Sequence, residues 1–204
     1  MIDKKIKIVQ DNILETCKKC GRKFSDIRLI AVSKTKPISD IYSAKNAGVI
    51  NFGENKALDF KGKAESINEE IIWHFIGHLQ TNKVKYVVPY AHFLHSVETQ
   101  KLAAEINKRA LKLNKIQKIF LEFNTSGEDS KFGITSFEDG LKLTEFCQSQ
   151  TNLKLVGLMT MAPYTSNENL IRNSFLKLRK YFDRLNTLGF NLEELSMGMS
   201  SDYE

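Results

Sequence analysis

Apolar residues along the chain follow two patterns, short runs typical of buried strands and stripes at helical spacing typical of amphipathic helices. In the first stripe, Ile2, Ile6, Val9, Ile13 and Cys17 recur every three or four residues, and Gly21 follows as a C-terminal cap. The stripes predict helices over residues 3–20, 39–46, about 56–70, 80–86, a segment marked by Leu102, Ala103, Ile106 and Ala110, 137–149 and 166–188. The runs predict strands over residues 27–34, 49–55, 71–77, 93–97, 118–124, 153–161 and 194–198.

This strict alternation of strands and helices predicts a parallel sheet in one domain, residues 1–204, without a linker. Two closures compete, a doubly wound open sheet and an α/β (β/α)8 TIM barrel. The absence of a G-x-G-x-x-G after the first strand weakens the dinucleotide-binding version of the open sheet. The functional sites of (β/α)8 barrels lie at the carboxyl ends of the strands. The candidate site residues of this chain follow or end predicted strands, namely Lys34, Asn55, His78, Asn124, Met161 and Ser196. Only seven strands are visible, so the predicted barrel lacks its eighth strand.

Composition narrows the possible functions. Apolar residues make up 42% and charged residues 26% of the chain, as in soluble globular proteins. The net charge of +6 comes from lysines scattered among acids, which argues against a nucleic-acid surface. No apolar run approaches the ~20 residues that span a bilayer, and the N-terminus carries no signal-peptide pattern, so we expect a cytoplasmic protein with no membrane partner.

Among the strand-end residues, Lys34 is the most informative candidate for a ligand-binding group. It closes the apolar run 27–33 and shares a strand face with Ile30 and Val32, so a buried strand end would partly desolvate it. Desolvation lowers the pKa of a lysine, and its neutral amine forms Schiff bases with aldehydes. The alternative is a strand-end lysine whose long stem reaches solvent.

Histidine and cysteine pairs suggest metal or redox chemistry only weakly. His74 and His78 have a metal-binding spacing on a helix, but on a strand they lie roughly 13 Å apart. Cys17 and Cys20 form a C-x-x-C, yet both continue the apolar stripe of the first helix and no second pair completes a zinc site. We therefore expect no metal, and helix packing rather than a redox pair.

Three polar segments remain open to two interpretations each. Asn55, after Phe52-Gly53-Glu54, could contact a ligand or cap the next helix. Residues 126–133 could form a recognition loop or a solvated turn. Ser196, in Ser-Met-Gly-Met-Ser, could bind a phosphate or cap a turn.

Together, the ordered motifs resemble those of the pyridoxal-phosphate homeostasis proteins, from the first helix to the last residue. The motifs are Ala-Val-Ser-Lys-Thr-Lys-Pro at 31–37, Phe-Gly-Glu-Asn at 52–55, Trp-His-Phe-Ile-Gly-His-Leu-Gln-Thr-Asn-Lys at 73–83, Glu-Asp-Ser-Lys-Phe-Gly at 128–133, Gly-Leu-Met-Thr-Met at 157–161 and Leu-Ser-Met-Gly-Met-Ser at 195–200.

The resemblance implies the barrel of the alanine racemase N-terminal domain, without that enzyme's second domain. It implies pyridoxal 5'-phosphate held as a Schiff base by Lys34, with Ser196 on the phosphate and Asn55 and Met161 around the ring. It implies a protein that binds and buffers the cofactor without robust catalysis, with PLP-dependent apo-enzymes as possible recipients. We expect a monomer.

One departure from the family pattern concerns the final strand, which normally supplies phosphate donors and an arginine for the pyridine nitrogen. The given sequence stops at Glu204, before that strand. The alternative function is a PLP-dependent amino-acid racemase or aldolase. It would need a second acid/base group on the opposite face of the ring. In the resembling enzymes that group comes from another domain or subunit, which we expect this chain to lack.

Overall fold

The computed structural model of the chain describes residues 2–128 and 131–204; Asp129 and Ser130 of the predicted polar loop lie outside the described residues. The α-helices are α1 (Ile2–Cys20), α2 (Ile38–Asn46), α3 (Ala57–Ser66), α4 (Val84–Val87), α5 (Gln100–Lys112), α6 (Phe137–Gln148) and α7 (Glu168–Thr187). The strands are β1 (Ala31–Val32), β2 (Asn51–Glu54), β3 (Ile72–Phe75), β4 (Phe93–Val97), β5 (Gln117–Glu122), β6 (Leu153–Met159) and β7 (Glu194–Ser196). Short 3-10 helices cover Phe24–Asp26 and Thr81–Lys83.

The seven strands form one parallel sheet in the order of the chain, from β1 to β7. A doubly wound sheet would reverse its strand order part-way, so this order excludes it and confirms the barrel type of α/β fold. Arg28, before β1, makes a 2.6 Å ion pair with Glu194 of β7 and thereby links the two outer strands of the sheet at their amino ends.

Two apolar layers cover the two faces of the sheet. The larger layer lies between the strands and the helices. There, Trp73 and Phe75 of β3 pack edge-on against Phe60 of α3. The smaller layer fills the concave face, or lumen, and consists of Phe93, Phe120, Val156 and Met159 with Ile72 beside them. Because side chains alternate along a strand, His74 points from β3 into the lumen.

Several predicted boundaries are wrong. The predicted strand 27–34 shrinks to Ala31–Val32 because β1 pairs with β2 alone among the described strands. The predicted strand 71–77 ends at Phe75, so His78 lies beyond it. Helix α3 ends at Ser66 rather than near Glu70, because Ile67 is extended and buries its side chain in the core.

Two glycines permit close backbone contacts that position the strand ends. A Cβ on Gly157 of β6 would lie 1.7 Å from the carbonyl oxygen of Glu194 in β7. A Cβ on Gly77 would lie 2.2 Å from the carbonyl oxygen of Asn55. No other residue fits at these positions without moving the neighbouring chain.

The cysteines of α1 differ from the prediction in part. Cys17 is buried, as the stripe indicates, but Cys20 at the last position of α1 is exposed, and neither is in a disulfide. Helix packing therefore accounts for Cys17 alone. Within residues 2–128 and 131–204, no helix combines the length and apolar character needed to cross a bilayer.

Candidate functional site

The four predicted ligand-contacting residues lie at the carboxyl ends of four strands. Lys34 follows β1 by two residues, Asn55 follows β2 directly, Met161 follows β6 by two residues, and Ser196 ends β7. Since all the strands are parallel, these positions belong to the same edge of the sheet, where barrel proteins place their sites.

The side chain of Lys34 is exposed, so the expectation that it is partly desolvated is wrong. The reason is the position of β1, which has a hydrogen-bonded neighbour on one side only among the described strands. Val32, on the lumen side of β1, is likewise 46% exposed. The amine of Lys34 is thus accessible to a ligand. Its surroundings match the alternative in the sequence analysis, a strand-end lysine whose side chain reaches solvent.

A buried polar cluster fixes the backbone next to Lys34. Glu54 is 1% exposed and accepts hydrogen bonds from Ser33 Oγ at 2.7 Å and from Lys63 Nζ of α3 at 2.6 Å. Lys63 Nζ also donates to the carbonyl oxygen of Ser33 at 2.7 Å. Both charges of the ion pair therefore have partners, and the residue that precedes Lys34 is held on both its side chain and its main chain.

A second polar cluster crosses the lumen. Asn51 Oδ1 lies 3.0 Å from His74 Nε2, and His74 Nδ1 lies 2.9 Å from His95 Nε2. His95 Nδ1 then lies 2.8 Å from Ser196 Oγ. These four side chains, which we call the lumen relay, come from β2, β3, β4 and β7 and connect the predicted phosphate contact to the opposite side of the barrel.

Both histidines of the lumen relay are neutral. His74 stacks on Phe93 with ring centroids 4.7 Å apart, and His95 stacks on Phe120 at 4.4 Å. Burial among these rings lowers the pKa of His74 to about 2, helped by the neighbouring His95, and lowers the pKa of His95 to about 3. At neutral pH each ring therefore carries one N–H donor and one acceptor nitrogen.

Asn55 and Met161 lie at the mouth of the barrel, and neither side chain makes a hydrogen bond to another residue within 2–128 and 131–204. Asn55 is half-buried, and it is not the cap of α3, because Lys56 holds that position. The capping interpretation of Asn55 is therefore wrong. Met161 is 41% exposed. Both side chains are accessible at the carboxyl edge of the sheet.

The loop after β5 is attached to the barrel rather than fully solvated. Asn124 donates from Nδ2 to the carbonyl oxygens of Glu128 and Lys131. Lys131 Nζ donates to the carbonyl oxygen of Ala162 at 2.9 Å, beyond β6. The side chain of Asn124 therefore holds the main chain of the loop in place.

The end of this loop covers a pair of acidic side chains. The N–H of Gly133 donates to Glu98 Oε2 at 2.6 Å, and the other oxygen of Glu98 lies 3.3 Å from His78 Nδ1. Phe132 stacks on His78 at 3.8 Å. Beneath them, burial raises the pKa of Glu122 to about 7, and the nearby Glu98 charge adds to the effect.

The sequence pattern identified the strand ends but not the groups that support them. His74 drew attention only as a metal ligand, and among the described residues no three His, Cys, Asp or Glu side chains are gathered as a metal site. The detectable signals were single polar residues inside apolar strands, Glu54 in β2, His74 in β3 and His95 in β4. A buried polar residue needs a partner, although its identity depends on strand register.

Comparisons with known proteins agree with this fold. The family model described as alanine racemase, N-terminal domain, matches residues 8–204. A pyridoxal phosphate homeostasis protein of Aquifex aeolicus is 39% identical over 198 residues, which is 96% of this chain and 86% of that protein. The structure of PipY from Synechococcus elongatus with PLP bound is 28% identical, with a TM-score of 0.80 over 94% of this chain and 91% of that one. The alanine racemase of Clostridium difficile in complex with cycloserine shares the fold at 11% identity, with a TM-score of 0.76 over 93% of this chain and 51% of that one.

Proposed function

Because this chain belongs to the alanine racemase N-terminal domain family, we propose that it binds pyridoxal 5'-phosphate and serves PLP homeostasis. The support is twofold. The Aquifex aeolicus relative is named a pyridoxal phosphate homeostasis protein, and the PipY structure contains PLP. The location in the cytoplasm, the monomeric state and the delivery of PLP to apo-enzymes stay predictions.

The accessible amine of Lys34 at the end of β1 is the observation that carries the proposal. A primary amine condenses with an aldehyde to form a Schiff base and releases one water molecule. We assign this covalent contact to Lys34, the phosphate contact to Ser196, and the contacts to the ring to Asn55 and Met161. The fixed backbone at Ser33 holds the root of the Lys34 side chain in place, which supports the assignment of the covalent contact to this amine.

We propose that the bound protein has no robust turnover. Bound PLP supplies an electron sink, and an enzyme must add groups that move protons at the substrate. His74 and His95 are poor candidates because each uses both ring nitrogens in the lumen relay. The alanine racemase likeness, at 11% identity, concerns the fold alone.

The test of covalent binding compares Lys34→Ala with Lys36→Ala, a matched control because Lys36 is also exposed and lies two residues away. Purified protein is incubated with PLP, reduced with borohydride, digested and analysed by mass spectrometry. We expect the cofactor mass on the peptide that contains Lys34, its loss in K34A and its retention in K36A. Equal labelling of K34A and the unmodified protein would refute the assignment.

The test of turnover uses PLP-loaded protein with alanine, serine and threonine at saturating concentration, followed by loss of optical purity. We expect a rate far below the ~1 per second of ordinary enzymes. A rate at that level that disappears in K34A would replace the homeostasis proposal with the racemase or aldolase alternative.

A further inference from the structure

With Asn51 Oδ1 facing His74, as in this structure, the lumen relay has one consistent arrangement of hydrogens. A neutral imidazole donates from one nitrogen and accepts at the other, and an amide oxygen only accepts. Asn51 Oδ1 therefore requires the proton of His74 on Nε2, which leaves His74 Nδ1 as an acceptor. His95 must then donate from Nε2 and accept at Nδ1, so the hydroxyl hydrogen of Ser196 points to His95.

This direction leaves Ser196 with lone pairs but no hydrogen for a ligand. A phosphate monoester at neutral pH presents mainly oxygen acceptors, so a hydroxyl must donate to it. If Ser196 simply turned its hydrogen to the phosphate, His95 Nδ1 would become a buried acceptor without a donor. Such a loss is unfavourable at a ring that is 1% exposed.

The lumen relay has an alternative that keeps all three hydrogen bonds. If His95 carries its proton on Nδ1, it donates to Ser196 and accepts at Nε2 from His74 Nδ1–H. His74 Nε2 then becomes an acceptor, and Asn51 satisfies it by rotating its amide to present Nδ2. Each ring exchanges one N–H for the other, so the net protonation is unchanged and the number of hydrogen bonds is the same in both directions.

We propose that Asn51, His74 and His95 are positioning residues that set the direction of the Ser196 hydroxyl, and that a phosphate monoester bound at Ser196 reverses the lumen relay. The inference rests on the proposed phosphate contact of Ser196. Asn51 lies at the far end of the lumen relay, and its amide can offer either a donor or an acceptor by rotation, as the Ser196 hydroxyl does at the other end.

The experiment reads the two tautomers by NMR of protein labelled with 15N at histidine, because Nδ1–H and Nε2–H rings give distinct nitrogen shifts. Signals are assigned with the variants His74→Gln and His95→Gln. We expect both rings as Nε2–H in the unliganded protein and as Nδ1–H with saturating pyridoxal phosphate. Pyridoxal, which has the aldehyde but no phosphate, should react with Lys34 and leave both tautomers unchanged.

A substitution of Asn51, at the end of the lumen relay opposite Ser196, provides an independent test. Asn51→Leu removes the partner of His74 Nε2, and a buried N–H without a partner is less tolerated than a buried lone pair. We therefore expect unliganded N51L to show both rings as Nδ1–H already and to bind pyridoxal phosphate at least as tightly as the unmodified protein. Ser196→Ala should raise the Kd by about tenfold through loss of one charge-assisted hydrogen bond.

The outcomes separate the two proposals. Tight binding of pyridoxal phosphate with unchanged tautomers would overturn the relay reversal and leave the proposed function intact. Failure of pyridoxal phosphate to bind would overturn the proposed function and the inference with it. Unliganded rings found as Nδ1–H in the unmodified protein would overturn the inference at its first step.

Discussion

Replacing Glu122 with glutamine should stabilise the protein in a strongly pH-dependent way. Glu122 ends β5, its side chain is 3% exposed, and burial raises its pKa from 4.5 to about 7. The gap between these pKa values corresponds to about 3 kcal/mol of unfavourable free energy when the carboxylate is ionised in the folded protein. Glutamine has nearly the same shape and never ionises.

The sign follows from proton counts. Between pH 4.5 and 7 the folded protein keeps the proton of Glu122 while the unfolded chain releases it, so stability falls as the pH rises. Below pH 4.5 both states are protonated, and this carboxyl has no effect. The E122Q advantage should therefore be about 0 at pH 4 or below, about 2 kcal/mol at pH 6 and about 3 kcal/mol at pH 8.

Urea unfolding monitored by fluorescence provides the measurement, because the single tryptophan, Trp73, is buried in β3. With a slope of about 2 kcal/mol per molar urea, the midpoint should rise by about 1.5 M at pH 8. Glu70→Gln is the matched control, since Glu70 is exposed, and it should shift the midpoint little at any pH. An E122Q advantage that is the same at pH 4 and pH 8, or a loss of stability at pH 8, would refute the reasoning.

Three further predictions concern other parts of the barrel. Lys63→Met leaves a buried carboxylate without its cation, and urea unfolding should show a loss of about 3–5 kcal/mol; a change below 1 kcal/mol would contradict this. Gly157→Ala forces apart β6 and β7, so the protein should lose its cooperative unfolding transition or its solubility, and a normal transition would contradict the close contact. The folded pKa values of His74 and His95 lie far below 6.5, so the unfolded chain binds more protons in acid. The free energy of unfolding should therefore fall by about 4 kcal/mol from pH 7 to pH 5. Urea unfolding of E122Q measures this without the opposite contribution of Glu122, and a flat profile would contradict it.

The sequence predicts the architecture well because the core is periodic. Runs around Phe93 and Leu158 have the composition of buried strands, and they lie in strands of the sheet. The end of β1 was harder to predict, since the exposure of Lys34 depends on which strands flank β1 rather than on its own residues. Local pattern carries no information about which strands pair with β1.

The polar groups around the site were predictable singly but not as contacts. Glu54 and Lys63 are nine residues apart, and they meet because the short connection after β2 reverses the chain so that α3 packs over β2. His95 and Ser196 are separated by 101 residues and meet only because the sheet curves around the lumen. Contacts at such separation follow from register, which hydrophobic periodicity does not specify.

The exposed side chain of Lys34 has a thermodynamic consequence for any aldehyde it captures. A lysine side chain carries about 2 kcal/mol of rotamer entropy, and an unconfined one retains that freedom until it reacts. Schiff base formation removes this entropy and hydrolysis restores it. The equilibrium constant for Schiff base formation is therefore about thirtyfold lower than for a lysine side chain that is already held in one conformation. For the Schiff base proposed at Lys34, the exposed position of the amine therefore favours exchange of the aldehyde over permanent retention.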